Sequence, residues 1–344
     1  MVSRNSVTRE YVNQMLKIKK IFFLLLFFPV AVCSSDTSTD AIKWLEKMAV
    51  AMKTLNYEGT FIYMHDNQLE SMQIIHGKDK TGEHERLFSL NGAAREILRV
   101  NDELTCILPD SRAVMVEKSR PKQYIPPALL TITKKLGRFY EFKVLGEDRV
   151  ADKTAQVIAV HPRDPYRYGY RLWLDKETGL LLKSDLVNTE GESLEQVMFT
   201  QLDILDYMPS AHLKPMISGH DFKWFESKHQ PDAFLSKSNK NSAEKSEWKV
   251  AHVPGGFTKS MQKTHPLPAN IMPVEHIVFT DGLSSISVFI EKSQESKDIF
   301  EGTSHMGAVH AYGTMIAGYQ VTVVGEVPKD AVMMIGDSVQ YHPQ

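Results

Sequence analysis

The 344-residue chain has only two cysteines and no uninterrupted apolar run of membrane-spanning length, which takes ~20 residues. It also has no excess of either charge. The 40 Lys and Arg against 42 Asp and Glu leave a net of −2, so there is no electrostatic footprint for nucleic acid. Catalytic signatures are missing too. His84-Glu-Arg-Leu-Phe88 begins like a zinc-protease helix, but Phe88 stands where the second histidine belongs. Gly302-Thr-Ser-His-Met-Gly307 is one residue too long for a nucleophile elbow. There is no phosphate-cradling glycine loop and no paired-cysteine metal spacing. His305 and His310 have no third partner nearby in sequence. These absences point away from an enzyme, and no catalytic residue, metal or cofactor is expected.

What the chain does have begins with an export pattern. Lys17, Lys19 and Lys20 precede the apolar run Ile21–Val32, and the small residues Ala31, Cys33, Ser34 and Ser35 follow. A basic end, a short apolar centre and a small-residue exit read as a signal peptide over residues 1–33, and hence as a periplasmic protein. Met15 is a more compact start than Met1. Val32 occupies the place where lipid-modified cysteines have a small residue before them, so cleavage after Cys33 is expected rather than lipidation. Removing 1–33 takes five basic residues from 40 and one acidic residue from 42, leaving 35 and 41, a net of −6. Cys106 then stands alone and cannot form an internal disulfide. Its apolar run, Leu104–Leu108, reads it as a buried small hydrophobe.

Residues 34–207 read as a first domain. Asp40 is placed to cap a helix whose Ala41, Trp44, Leu45, Met48, Met52 and Leu55 share one face. Short β-rich runs follow near Tyr57–Met64, Ser71–Gly77, Glu83–Leu90, Leu104–Leu108, Ala113–Glu117, Gln156–His161, Tyr170–Asp175, Leu180–Val187 and Glu195–Ile204. Sequential strands joined by turns predict a mostly antiparallel, curved sheet, with a short helix from Pro126. Residues 208–247 lack a period, and Ser236–Glu247 is almost free of apolar groups, so this stretch reads as a linker. A second, small α+β domain fills 248–344. In it, Val274–Thr280 and Leu283–Ile290 flank Asp281-Gly282, a two-residue hairpin signal. Pro328 opens a terminal helix lined by Ala331, Val332, Ile335 and Val339.

Several segments, in order across both domains, resemble the MucB/RseB family of sigma-E regulatory proteins. They are Leu55–Tyr63, Asn91–Ile97, Asp164-Pro-Tyr-Arg-Tyr-Gly-Tyr-Arg-Leu-Trp-Leu-Asp175, Pro254-Gly-Gly-Phe257, Thr280–Glu291, Gly307–Val309 and Val321–Pro328. The linker is where the likeness is poorest. The resemblance implies an α+β protein: an N-terminal lipoprotein-carrier-like curved antiparallel half-barrel with covering helices, a linker and a small C-terminal α+β domain. It implies a periplasmic negative regulator that binds the periplasmic domain of an RseA/MucA-type anti-sigma factor and shields it from proteolysis. Lipopolysaccharide or lipoprotein acyl chains are the implied releasing signals. The competing function is a lipid or lipoprotein carrier, and a homo-oligomer stays open.

Two sets of residues are the candidate sites. Along β-rich Tyr170–Asp175, Tyr170, Leu172 and Leu174 alternate to one side, fitting a concave apolar face together with Val197 and Phe199. Arg163 and Arg167, just before that strand, would meet a lipid phosphate at the rim. The plainer reading packs Leu172 and Leu174 against the Trp44 helix and pairs the arginines with Asp164 or Asp175. For the anti-sigma partner, Ser284, Ser285, Ser287 and Phe289 point away from the Ile286/Val288/Ile290 face. The plainer reading there makes Phe289 core.

Overall fold

The computed structural model describes residues 37–118, 136–227, 246–266, 273–293 and 299–343. The expected signal peptide, the helix from Pro126 and linker residues 228–245 lie outside the described residues. The first element is the helix α1 (Thr37–Thr54). It starts three residues before Asp40, which therefore sits in the first turn instead of capping it and bonds Lys43 at 3.0 Å. Acidic charge there still complements the helix dipole.

The first sheet contains twelve strands. They are β1 (Asn56–His65), β2 (Gln68–Asp79), β3 (Gly82–Ser89), β4 (Glu96–Val100), β5 (Glu103–Leu108), β6 (Ala113–Lys118), β7 (Tyr140–Val150), β8 (Lys153–Pro162), β9 (Gly169–Asp175), β10 (Leu181–Val187), β11 (Ser193–Leu205) and β12 (Lys223–Ser227). Their order is β12-β6-β5-β4-β3-β2-β1-β11-β10-β9-β8-β7, antiparallel except for β12 on β6, and the ends do not pair. The sheet is strongly curved: β7 approaches β11 although three strands lie between them. In a flat sheet they would be ~19 Å apart. α1 lies within this curve, touching β7, β8 and β2. Ala41, Leu45 and Met48 are buried there against Tyr140, Phe142, Ile158, Val160, Leu172 and Leu174.

β4, β7 and β12 were not expected, and Cys106 is half-buried rather than buried. Residues 208–227, expected as linker, are fastened to the first sheet. Met208 is 6% exposed and packs on Gly77. Glu96 accepts the Met216 amide at 3.0 Å, and β12 extends the sheet.

The second domain pairs β13 (Trp248–Val250) with the final β20 (Val339–Tyr341). Its six-stranded antiparallel sheet is formed by β14 (Thr258–Pro266), β15 (Pro273–Thr280), β16 (Ser285–Lys292), β17 (Gly302–Met306), β18 (Val309–Ile316) and β19 (Tyr319–Gly325), in the order β14-β15-β16-β19-β18-β17. Helix α2 (Lys329–Asp337) packs on β18 and β19, burying Ala331, Val332 and Ile335 against Ile286, Val288, Val321 and Val323. Pro328 is the N-cap, one place earlier than expected, and Val339 belongs to β20. The connection after β15 has four residues, not two. The reason is chemical: the Asp281 carboxylate accepts the amides of Leu283 (2.9 Å) and Ser284 (2.8 Å), an Asx turn in place of a type I′ turn.

Candidate functional site

Tyr170, Leu172 and Leu174 do share one face of β9, and the pairings Leu172↔Ser184 and Ser184↔Val197 carry that face to Val197 and Phe199. They do not form one cluster. Leu172 and Leu174 are fully buried with α1, as the plainer reading held. Phe199 and half-buried Val197 pack instead with Phe61, Met72 and Leu87. On this second stretch Tyr63, Ile74 and Ile97 are only half-buried. Burial also pushes the Tyr170 hydroxyl well above its ordinary pKa.

Arg163 is exposed, but Arg167 is not at a rim: its side chain is fully buried between the two domains. Its Nε donates to Asp164 at 3.0 Å, its Nη1 to Asp281 at 2.7 Å and its Nη2 to the Gly255 carbonyl. The rings of Phe139, Tyr140 and Phe257 surround the guanidinium at 5.0, 5.5 and 5.1 Å. Asp281 is equally buried, and the same oxygen, Oδ2, also accepts the Tyr140 hydroxyl at 2.9 Å, while Oδ1 takes the two turn amides. Burial opposes the arginine's charge, but the Asp164 hydrogen bond, then Tyr140 and Asp281, outweigh it and hold the proton more firmly. Burial and then Asp281 raise the Tyr140 hydroxyl far above its usual range. Asp164 was anticipated as a partner; Asp281, Tyr140 and Gly255 were not.

The junction is apolar around this centre. Leu283 and Ala308 of the second domain join the first domain's core, while Tyr166 joins the second domain's. Gly256, at φ 88°, lets Phe139 approach so closely that an added Cβ would lie 2.5 Å from its ring. Beside the junction opens a cleft of about 340 Å³, lined by Tyr168, Asn188, Glu190, Leu194, His310 and Pro328 among others. His310 Nδ1 lies 3.0 Å from the Val327 carbonyl and 3.2 Å from the Tyr168 hydroxyl, and burial lowers its pKa. Burial lifts that hydroxyl to about 12.

The expected partner residues divide. Ser285, Ser287 and Phe289 lie opposite the core face of β16, whereas Ser284 is 8% exposed within the turn. Phe289 stacks on His276 at 4.3 Å, and Ser287 Oγ is 3.1 Å from His276 Nε2. Among the described residues no group of three or more His, Cys, Asp or Glu is arranged to hold a metal, and no helix is long and apolar enough to cross a membrane.

The family model of the MucB/RseB N-terminal domain matches residues 40–217, and that of the MucB/RseB C-terminal domain matches residues 242–340. The chain belongs to the MucB/RseB family. It is 31% identical to the sigma factor AlgU regulatory protein MucB of Pseudomonas aeruginosa, over 92% of this chain and 96% of that one. It is 29% identical to the sigma-E factor regulatory protein RseB of Salmonella typhimurium, over 92% and 94%. Among solved structures, the Pseudomonas aeruginosa MucA/MucB complex matches with a TM-score of 0.69 at 29% identity, covering 89% of this chain and 100% of that one. A crystal structure of MucB matches with a TM-score of 0.57 at 28% identity, with 89% of this chain and 99% of that one covered. The MucB/RseB-like segments around Arg167, Phe257, Asp281 and Ala308 meet at the junction.

Proposed function

We propose that this MucB/RseB-family chain is a periplasmic regulator that holds the periplasmic segment of a MucA/RseA-type membrane anti-sigma factor. By shielding that segment from proteolysis it restrains the sigma-E envelope-stress response, and it works without catalysis. The observation that carries this reading is the match, over 89% of the chain and across both domains, to MucB in its complex with MucA. The names of the curated relatives as sigma factor regulators agree with it.

Release by lipid or lipoprotein acyl chains is part of the same proposal. The half-buried stretch at Tyr63, Ile74, Ile97 and Val197 suits an acyl chain better than Leu172 and Leu174, which α1 already covers. Each buried CH₂ would contribute ~0.8 kcal/mol. Ser285, Ser287 and Phe289 remain the proposed partner face. The test is capture of ligands from a periplasmic and inner-membrane extract by the full chain. Recovery of one inner-membrane anti-sigma factor supports regulation; a spread of lipoproteins without it would make the chain a carrier.

A further inference from the structure

We infer that Arg167 and Asp281 form a polar latch that fixes the angle between the two domains, and that partner binding depends on this latch although neither side chain can touch a partner. The binding consequence rests on the function proposed above; the geometric claim does not.

Apolar surfaces tolerate sliding, because the hydrophobic effect is non-directional. The Leu283, Ala308 and Tyr166 contacts alone would therefore accept a range of domain angles. The arginine fork removes that freedom. One guanidinium reaches Asp164 in its own turn, and Asp281 and the Gly255 carbonyl in two separate loops of the second domain. Both charged side chains are fully buried, so a rotation that parted them would strip the Asp281 carboxylate of its arginine and leave Arg167 with Asp164 alone. The network is also complete. Asp281 accepts four hydrogen bonds, from Leu283, Ser284, Tyr140 and Arg167. Among the described residues, the buried side-chain atoms without a partner lie on Arg86, Arg95 and Arg99, and none lies on Arg167. A fully satisfied buried network specifies one arrangement, which a half-satisfied one does not. Phe139 closes the assembly from the first domain against Gly256 of the second, where only glycine gives the ring room. The network thereby holds the β16 face of the second domain at one fixed separation from the first domain's surface, the arrangement a partner reaching from one to the other requires.

The experiment measures the distance between spin labels at Lys53→Cys on α1 and Lys259→Cys on β14, both exposed, in full-length protein with Cys33 and Cys106 replaced by serine. Asp281→Asn removes the charge but keeps an oxygen for the Leu283 and Ser284 amides. Arg167→Met keeps much of the stem, and Arg167→Lys keeps the charge without the fork. Circular dichroism establishes that each variant is folded, and exposed Arg163→Ala is the control. The expected result is one narrow distance in the parent and in Arg163→Ala, and a broadened or second population in the three latch variants. Affinity for the anti-sigma segment should fall at least tenfold in the latch variants only. An unchanged distance distribution in folded Asp281→Asn and Arg167→Lys overturns the latch. Broadened distances with unchanged affinity overturn the dependence of binding on it. If the parent fails to bind the segment at all, the proposed function fails, and the distances alone still decide the geometric claim.

Discussion

Arg86 and Arg167 are both buried and both paired with a buried carboxylate, yet one pair lies within a domain and the other between two. Arg86 donates to Glu96 at 2.5 Å across neighbouring strands β3 and β4. Glu96 in turn accepts the amides of Met216 and Ile217, so this pair fastens the 208–217 stretch to the sheet. One Arg86 nitrogen has no partner. Arg167 joins residues 114 positions apart in the chain, and all its buried nitrogens are used. The same chemistry acts locally in one place and across the whole molecule in the other. The difference comes from which elements the partners ride on.

The sharpest test of that contrast removes one member of each pair. Arg167→Met and Glu96→Ala each leave an unmatched buried charge, costing ~3–5 kcal/mol. In denaturant melts, Arg167→Met should separate one transition into two, one for each domain. Glu96→Ala should leave the domains coupled and instead speed hydrogen exchange at Met216 and Ile217. If both variants behave alike, the distinction fails.

Leu172→Ala asks whether packing alone could hold the junction. Leu172 is fully buried in the cluster that also takes in Leu283 and Ala308, and the lost contacts should cost ~2–5 kcal/mol. The first domain's melting temperature should drop while the inter-domain distance stays that of the parent. Gly256→Ala attacks the junction from its backbone, through both its positive φ and the Phe139 ring. About 1–3 kcal/mol of strain is expected, seen as a looser junction by hydrogen exchange at Phe257.

Much of this architecture was legible beforehand, and the misses share a cause. Strands such as β1, β9 and β11 announce themselves by β-branched and aromatic residues in alternation. β4 does not, because its buried positions include Glu96 and Arg99, charges that a hydrophobic pattern assigns to solvent. β7 is similarly masked by Glu141, Lys143, Glu147, Asp148 and Arg149. Arg167 misled for the same reason: a charge where the chain leaves the turn at Pro162 and Pro165 reads as surface. Its partner lies in another domain, so no local window could reveal the burial. Asp281-Gly282 marked a turn correctly, but the carboxylate's second role was invisible without Tyr140 and Arg167 beside it.

Acid sensitivity gives a smaller effect that belongs to one domain only. The His76 hydrogen bond, opposed by burial and reinforced by Arg99, holds Glu83 at about 2 against an ordinary 4.5. A depressed carboxylate stabilises the fold fully above its unfolded value and loses that contribution as pH falls toward the folded one. Glu83→Gln should therefore flatten the first domain's melting temperature between pH 4.5 and 2, leaving the second domain's unaffected. An unchanged slope would remove Glu83 from the account. Least of all should change in Arg163→Ala, whose exposed side chain was once a rim candidate. Its stability should stay within ~0.5 kcal/mol of the parent.

The central claim is that this chain holds an anti-sigma segment and shields it. Titration calorimetry of the full chain with the periplasmic segment of the same bacterium's membrane anti-sigma factor tests it directly, paired with a protease-protection assay. The account predicts a saturable one-to-one complex in which the segment resists cleavage. No heat of binding and cleavage at the rate of the free segment would contradict it.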